Sequence, residues 1–189
     1  MSQSNFIVSK CMLIPNGASL DEEYEISGGL PKINYFESIE SPSISMTIRF
    51  HDIDQVIGRK GITGGELVEV TVKDGTEGDE FKITKDHRMI LNEVVDMNTT
   101  SQVQEATLDF VSEETFINET SRLNKKFTGN ISETVKKILT DDEKGIKTKK
   151  DVFGTEDNKS RAVNSYSFIG NLKRPFDTIQ WLCPKAQSA

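Results

Sequence analysis

The chain has 189 residues, a length that predicts one domain or two small ones and is sufficient to bury a core. Hydrophobic residues make up 35% of the sequence and charged residues 28%, and apolar residues occur along its whole length, which argues against extensive disorder. The net charge of −7 argues against a general nucleic-acid binder, because such proteins need a basic surface to displace counterions.

The charge is divided unevenly between two parts of the chain. Residues 1–120 hold 9 Lys or Arg against 22 Asp or Glu, a net charge of −13, whereas the residues from Arg122 onward hold 14 against 8, a net charge of +6. This asymmetry predicts two parts with different surroundings. No run reaches the roughly 18 apolar residues of a membrane-spanning helix, and residues 1–10 lack the apolar stretch of a signal peptide. We expect synthesis in the cytoplasm and no membrane partner.

Three segments of the acidic part alternate strictly between apolar and polar residues, which is the pattern of a half-buried strand. They are Ile44–Phe50, Glu66–Lys73 and Gln104–Phe110. The inward positions give the predicted core strands: Ile44, Met46, Ile48, Phe50, Val68, Val70, Val72, Leu108 and Phe110.

Three further runs complete the predicted sheet. Phe6–Ile14 is apolar on both faces, which predicts a central or interface strand, and Phe81–Ile83 and Met89–Val95 are also read as strands. Gly- and Asn-containing turns separate the runs, and no long helix lies between them. This spacing predicts a small antiparallel barrel or sandwich.

The pattern changes to helical near residue 112. Asn130 is the predicted N-cap of a helix, and Pro175 lies in the predicted first turn of a last helix that Pro184 ends. The chain ends five residues later, which indicates a cut chain or a short variant. Apolar side chains at helical spacing predict the packing of this part: Ile131, Val135, Ile138 and Leu139 in the first helix, and Phe176, Ile179, Trp181 and Leu182 in the last.

Four segments offer residue types that could carry chemistry, and each has a simpler explanation. His51–Asp54 has metal-ligand types, but no Cys or second His stands at ligand spacing. Gly58–Gly65 lacks the ending of a phosphate-binding loop, and Asp74–Glu80 lacks the spacing of a calcium loop. The basic residues of 144–150 have no interleaved aromatic residues to stack on bases. We therefore predict no enzyme activity and no catalytic, cofactor or metal site.

The order of segments resembles the baseplate hub proteins of contractile-tailed bacteriophages of the T-even type, and also the related hub part of type VI secretion spike proteins. The match is carried by the strand pair of 43–52 and 65–73, by a strand that ends in Ser112-Glu-Glu and leads to Ile131-Ser-Glu-Thr-Val-Lys-Lys-Ile-Leu, and by Arg174-Pro-Phe-Asp-Thr-Ile-Gln-Trp-Leu. The resemblance covers about 32–186. Members of that family are considerably longer and carry a second tube-like barrel, so this chain is shorter than the family.

The resemblance implies an α+β fold, with a tail-tube-like antiparallel β-barrel domain over 1–112 and an incomplete α-helical domain over 113–189. It implies a virion protein of the tail baseplate that forms a ring joining the central spike to the tail tube. The ring would be a trimer, or a hexamer if one barrel is present, and DNA would pass through it without specific binding. Neighbouring baseplate proteins are further expected partners. The candidate inter-subunit residues are then Phe6, Val8, Met12 and Ile14.

Three alternatives remain at this point. The chain could belong to the hub or spike of a contractile injection or type VI secretion machine, which genome neighbourhood would distinguish. It could be a cell-wall hydrolase of the baseplate, which would need paired carboxylates in a cleft. It could also be an acidic binding module with no role in assembly.

Overall fold

The computed structural model describes residues 6–15, 23–74, 79–99, 104–141, 143–150 and 164–187, together with residues 152 and 162. The chain divides into two compact units, Met1–Glu113 and Glu114–Ala189. Both units combine strands and helices, so the fold class is α+β with mainly antiparallel pairing. None of the helices in these ranges is long and apolar enough to cross a bilayer.

The first unit is an antiparallel sheet with one short helix. Its strand order is β2-β1-β5-β7-β8-β4-β3. In addition, β6 pairs with residues 70–73 of β5, whereas β7 pairs with β5 at Leu67. The helix α1 covers Val56–Lys60. The strands are β1 (Phe6–Ile14), β2 (Tyr24–Glu25), β3 (Lys32–Phe36), β4 (Ser45–His51), β5 (Leu67–Asp74), β6 (Glu80–Ile83), β7 (Met89–Thr99) and β8 (Gln104–Ser112).

The predicted closed barrel is wrong, because the sheet of the first unit is open. Within the described residues, no ladder joins β3 at one end of the strand order to β2 at the other. These two strands follow each other in the chain, and the segment between them breaks the extended conformation. Ser27–Gly29 forms a 3-10 turn, Leu30 has a φ of 52°, and Pro31 has no N–H to donate to a ladder. The strand that would close the barrel is therefore split into two halves.

The 3-10 turn at Ser27–Gly29 nevertheless connects both sides of this split. The backbone N–H of Cys11 on β1 donates to Ser27 Oγ at 2.7 Å, and the N–H of Ile26 donates to the Cys11 carbonyl at 2.9 Å. On the other side, Gly29 lies so close to β4 that an added Cβ would overlap the carbonyl oxygen of His51. The turn thus brings β1 and β4 together at one end of the curled sheet.

The alternating strands supply the core of the first unit. Ile44 and Val72 are partly buried and pack against it, whereas the other seven predicted core positions are at most 3% exposed: Met46, Ile48, Phe50, Val68, Val70, Leu108 and Phe110. Cys11 and Leu13 of β1 and Leu91 of β7 complete the interior. Burial raises the pKa of the Cys11 thiol to about 12.

A bulge changes which positions of β1 face the core. Its pairing with β5 shifts between Val8 and Lys10. An extra residue at a bulge changes which positions of a strand face inward. Val8 before the bulge and Cys11 after it therefore both pack against the core, although an odd number of positions, three, lies from one to the other.

The α-helical domain that the sequence predicts over 113–189 is not confirmed, because a two-stranded sheet lies among the helices of the second unit. Phe127 and Phe168 are paired across this sheet with their rings stacked, 5.1 Å between centroids. Strands of five residues are too short to show a clear alternation, so the pattern did not reveal them. The elements are α2 (Glu113–Thr120), β9 (Lys126–Asn130), α3 (Ile131–Thr140), β10 (Ser165–Ile169) and α4 (Pro175–Leu182).

The predicted helix starts of the second unit are confirmed. The side chain of Asn130 accepts a hydrogen bond from the N–H of Ser132 at 2.9 Å, and Pro175 is the first residue of α4. Of the residues predicted to pack this part, four are buried and four are partly buried. The buried set is Ile131, Ile138, Phe176 and Leu182, and the partly buried set is Val135, Leu139, Ile179 and Trp181.

Replacement of Gly29 tests whether the close approach to β4 is required. We expect Gly29→Ala to lower the free energy of unfolding by about 1–3 kcal/mol, because its Cβ would displace the backbone of His51. Gly28→Ala is the matched control, since no atom lies within 4 Å of a Cβ at that position. Chemical denaturation of both variants measures the difference. Equal stability of the two would contradict the packing described here.

Acid should weaken the second unit through Asp141, the C-cap residue of α3. Lys125 and the N–H groups of Lys144 and Glu143 hold its carboxylate and lower its pKa from 3.8 to about 2. A lowered pKa stabilises the fold above pH 4, and that contribution is lost as the pH falls toward 2. Asp141→Asn should cost about 0.5–1 kcal/mol at neutral pH and nothing near pH 2. Fluorescence of Trp181, the one tryptophan, follows the unfolding. A stability difference between Asp141→Asn and wild type that does not change with pH would contradict this role of Asp141.

Candidate binding groove

An apolar groove opens where β1 and β3 separate beyond the 3-10 turn. It encloses about 570 Å³. Among the described residues that line it, Lys32 carries the only formal charge. The lining residues are Phe6 and Val8 of β1, Pro31, Lys32, Ile33, Asn34 and Tyr35 in and before β3, Val72 of β5 and Phe81 of β6. We call this feature the seam groove.

Among the described residues, β3 and the first half of β1 each present an unpaired strand edge beside the seam groove. Within the described residues, β3 pairs with β4 alone, and β1 pairs on its outer side with β2 through Met12 and Leu13 only. The segment from Phe6 to Lys10 therefore has no ladder partner opposite β5 in the part of the chain that the structure describes. An unpaired strand edge next to apolar side chains is a surface on which another chain can dock.

Two aromatic rings from separate strands meet in the groove. Tyr35 of β3 and Phe81 of β6 are in edge-to-face contact, with 5.3 Å between their centroids. Phe81 is 46% exposed and Phe6 is 68% exposed. Exposed aromatic side chains in an apolar concave surface are typical of binding sites rather than of a finished core.

The four candidate inter-subunit residues of β1 have different surroundings. Phe6 is exposed, and Val8 is partly buried against the core and lines the seam groove. Met12 is partly buried, and Ile14 is 9% exposed. The structure thus brings Phe6 and Val8 together in one groove and leaves Met12 and Ile14 outside it. Their role between subunits stays a prediction.

The polar residues around His51 serve the fold. The carboxylate of Asp52 is 3% exposed and accepts hydrogen bonds from the N–H groups of Val56 at 2.7 Å and Ile57 at 3.1 Å, so it caps α1. His51 lies 3.6 Å from Glu105 on the neighbouring strand. In the described ranges, no group of three His, Cys, Asp or Glu side chains is arranged to hold a metal ion.

The glycine-rich segment Gly58–Gly65 has no open cradle for a phosphate. The N–H groups of Thr63 and Gly64 donate to the carboxylate of Glu66, at 3.3 and 2.9 Å. A carboxylate of the chain itself thus occupies the position that an anion would take. The segment also includes part of the short helix α1, where the sequence predicts only a loop between strands.

The other two charged segments are held by ion pairs. Glu80 contacts Lys73 at 2.8 Å and also pairs with Lys82, and these two ammonium groups lower its pKa to about 2. Lys150 of the basic loop contacts Glu114 at 3.1 Å.

The outer face of the sheet is acidic where β7 and β8 lie side by side, and Arg49 of the adjacent strand β4 pairs with Glu105 on the same face. Asp109 on β8 stands opposite Glu93 on β7, and Asp96 follows on β7 opposite Thr107. Glu93 and Asp96 are exposed. Like charges directly opposite each other reduce the stability of a sheet, so the pairing of Asp109 with Glu93 destabilises this part of the fold.

The strand β3 contributes more lining residues to the seam groove than any other strand, and the sequence pattern did not predict it. Lys32–Phe36 alternates, with Ile33 and Tyr35 partly buried and Lys32 and Phe36 exposed. The period-two signal was present, but it spans only five residues and follows a glycine- and proline-containing turn. Sequence alone also could not show that Phe81 lies across from Tyr35.

Comparison with known proteins finds similarity to solved structures but none in sequence. No protein-family model matches the chain, and no curated protein matches it in sequence. Among solved structures, the chain is similar to the 43 kDa tail protein of prophage MuSo2 from Shewanella oneidensis, with 15% identity and a TM-score of 0.48. The similarity covers 94% of this chain and 50% of that tail protein, so the chain spans half of its length.

A double-mutant cycle tests the contact between the two rings of the groove. Tyr35→Ala and Phe81→Ala should show a coupling energy of about 0.5–1.5 kcal/mol, which is the usual value for an edge-to-face pair. The free energies of unfolding of wild type, single and double variants give this coupling. Tyr35→Ala combined with Phe127→Ala in the second unit is the control, and it should be additive. Additivity in both cycles would show that the rings do not interact.

Proposed function

We propose that the chain is a structural component of a phage tail, in which copies of it form a ring of the baseplate hub between the central spike and the tail tube. The observation that carries the proposal is the seam groove, with aromatic side chains exposed between two strand edges. Such a surface is stabilised by another chain and is a liability on a free monomer. The resemblance of three segments to baseplate hub proteins supports the choice of the tail as the place of assembly.

The acidic outer face supports the passage of DNA through such a ring. Glu93, Asp96 and Asp109 would repel the phosphate backbone, and this lets DNA slide without binding. In this arrangement β7 and β8 face the channel. A structure of the assembled ring with Lys and Arg side chains along its channel would contradict this part of the proposal.

The proposed role is mechanical rather than enzymatic. The two buried carboxylates, Asp52 and Glu66, are the candidates for a catalytic pair. Both accept backbone hydrogen bonds that hold α1 and the segment after it. An assay of cell-wall cleavage by the purified protein tests the hydrolase alternative directly. Turnover that is lost in Asp52→Asn but retained in a surface control such as Glu40→Gln would favour that alternative.

The mass of the purified protein in solution tests the proposed ring. We expect a trimer or a hexamer of the 21.2 kDa chain in sedimentation equilibrium, and binding to purified spike or tube protein from the same tail. High salt should weaken charged contacts but not the apolar ones. A monomer at every concentration that binds neither protein would overturn the proposal.

A further inference from the structure

We propose that the turn between β10 and α4 of one copy docks into the seam groove of a second copy, with Leu172 as the apolar anchor and Lys173 paired with Glu37. This docking rests on the proposed self-assembly and specifies the two surfaces that meet in it. The turn consists of residues 170–173, and Ile169 stands next to it at the end of β10.

Two consecutive residues of this turn have a left-handed backbone. Asn171 has a φ of 51° and Leu172 a φ of 58°, and the N–H of Lys173 donates to the carbonyl of Gly170 at 3.1 Å. The N–H of Leu172 donates to the carbonyl of Leu123 at 2.8 Å, which fixes the position of the turn. Asparagine adopts the left-handed region readily, whereas leucine adopts it at an energetic cost.

The strained leucine is also exposed to solvent together with a neighbouring apolar residue. Leu172 is 65% exposed and Ile169 is 68% exposed. The leucine therefore destabilises the free chain in two ways, through its backbone conformation and through its apolar surface in water. Backbone strain of this kind is concentrated at sites of function, and a partner that covers Leu172 would remove its apolar surface from water.

The seam groove is apolar inside and has a carboxylate at its rim. Tyr35 lines the groove, and its hydroxyl donates to the carboxylate of Glu37 at 3.2 Å. Lys32 precedes Ile33 and therefore points to the opposite face of β3, where its charge acts on Glu105. A segment that matches the groove therefore has an apolar tip next to a cation.

Outside the strands and the turn that border the groove, one group of exposed apolar side chains in the described part of the chain has basic rather than acidic neighbours. No acidic residue lies within three positions of Ile169 or Leu172. Lys126 stands opposite Ile169 in the ladder, Lys173 follows Leu172, and both lysines are exposed. The other exposed apolar side chains each lie within three positions of an acidic residue: Ile39, Ile53, Val95, Met97 and Phe116.

The groove and the turn belong to different units, so the contact between copies is head-to-tail. The first unit of one copy would receive the turn of the next copy. The groove volume of about 570 Å³ is in the usual range of ligand pockets and accommodates the side chains of Leu172 and Ile169. Repetition of a head-to-tail contact closes into a ring when the rotation permits, which fits the proposed assembly.

Replacement of Leu172 by asparagine tests the anchor and separates binding from folding. We expect Leu172→Asn to raise the dissociation constant of the oligomer by about tenfold or more, because the groove loses its apolar occupant. The same variant should unfold at an equal or higher denaturant concentration than wild type, because asparagine relieves the backbone strain. Sedimentation equilibrium measures association, and chemical denaturation measures stability. Unchanged association together with lower stability would show that Leu172 only supports the fold.

Ile53→Asn is the matched control for this substitution. Ile53 is 70% exposed and stands between two aspartates, outside the groove. Its replacement should leave assembly unchanged. Equal weakening of assembly by both substitutions would overturn the docking, because it would reflect a general loss of apolar surface.

A charge exchange tests the ion pair independently. Lys173→Glu and Glu37→Lys should each weaken assembly by about threefold to tenfold, and the double variant should recover to within about threefold of wild type. No recovery would overturn the pairing.

Disulfide formation tests whether the turn and the groove of different copies meet. In a Cys183→Ser background, which removes the exposed thiol, a tagged Leu172→Cys variant is mixed with an untagged Phe6→Cys variant. Because each chain carries one new cysteine, a covalent species with the summed mass of both variants forms only between copies. Gel electrophoresis after mild oxidation should show this species, and its absence would overturn the docking.

The outcomes separate the two proposals. A stable oligomer that Leu172→Asn leaves intact would overturn the docking alone and keep the proposed ring. Binding of the protein to phosphatidylglycerol vesicles that Leu172→Asn abolishes, with assembly unchanged, would assign the turn to a lipid surface and also overturn the docking. A wild-type protein that is monomeric at every concentration would overturn both proposals.

Discussion

The 3-10 turn at Ser27–Gly29 is the constraint on which the first unit depends. Its Ser27 hydroxyl bonds to the backbone of Cys11 on β1, and its Gly29 lies against the backbone of His51 on β4. These two strands belong to opposite halves of the sheet. The turn therefore holds the sheet curled around its core, although no continuous ladder closes it. A side chain at Gly29 would separate the two halves.

The same turn creates the opening that forms the seam groove. Before the turn the chain pairs with β1 as β2, and after the turn it pairs with β4 as β3. The edges of β1 and β3 therefore separate past the turn and expose apolar side chains. A fully closed barrel would bury Phe6 and Phe81, but it would offer no edge to a partner. The open sheet therefore makes the free chain less stable than a closed barrel would be, and it presents a surface that another chain can cover.

The polar groups follow a consistent division. Buried carboxylates, those of Asp52 and Glu66, bind backbone N–H groups and shape the connection between β4 and β5. Exposed carboxylates, those of Glu93 and Asp96, lie on the outer face of β7 beside the partly buried carboxylates of β8. This division supports a molecule that acts through its surface, since the buried carboxylates of Asp52 and Glu66 already bind backbone N–H groups.

The sequence by itself determined the strands with strict alternation and the helix starts at Asn130 and Pro175, because side-chain period and capping are local properties. It also determined most of the core, since Met46, Ile48 and Val68 could face only one way. The tertiary structure alone decided that the barrel stays open and that the bulge of β1 turns Val8 and Cys11 to the same side. It also decided that Tyr35 meets Phe81, because contacts between strands distant in sequence depend on register and curl, which local patterns do not encode.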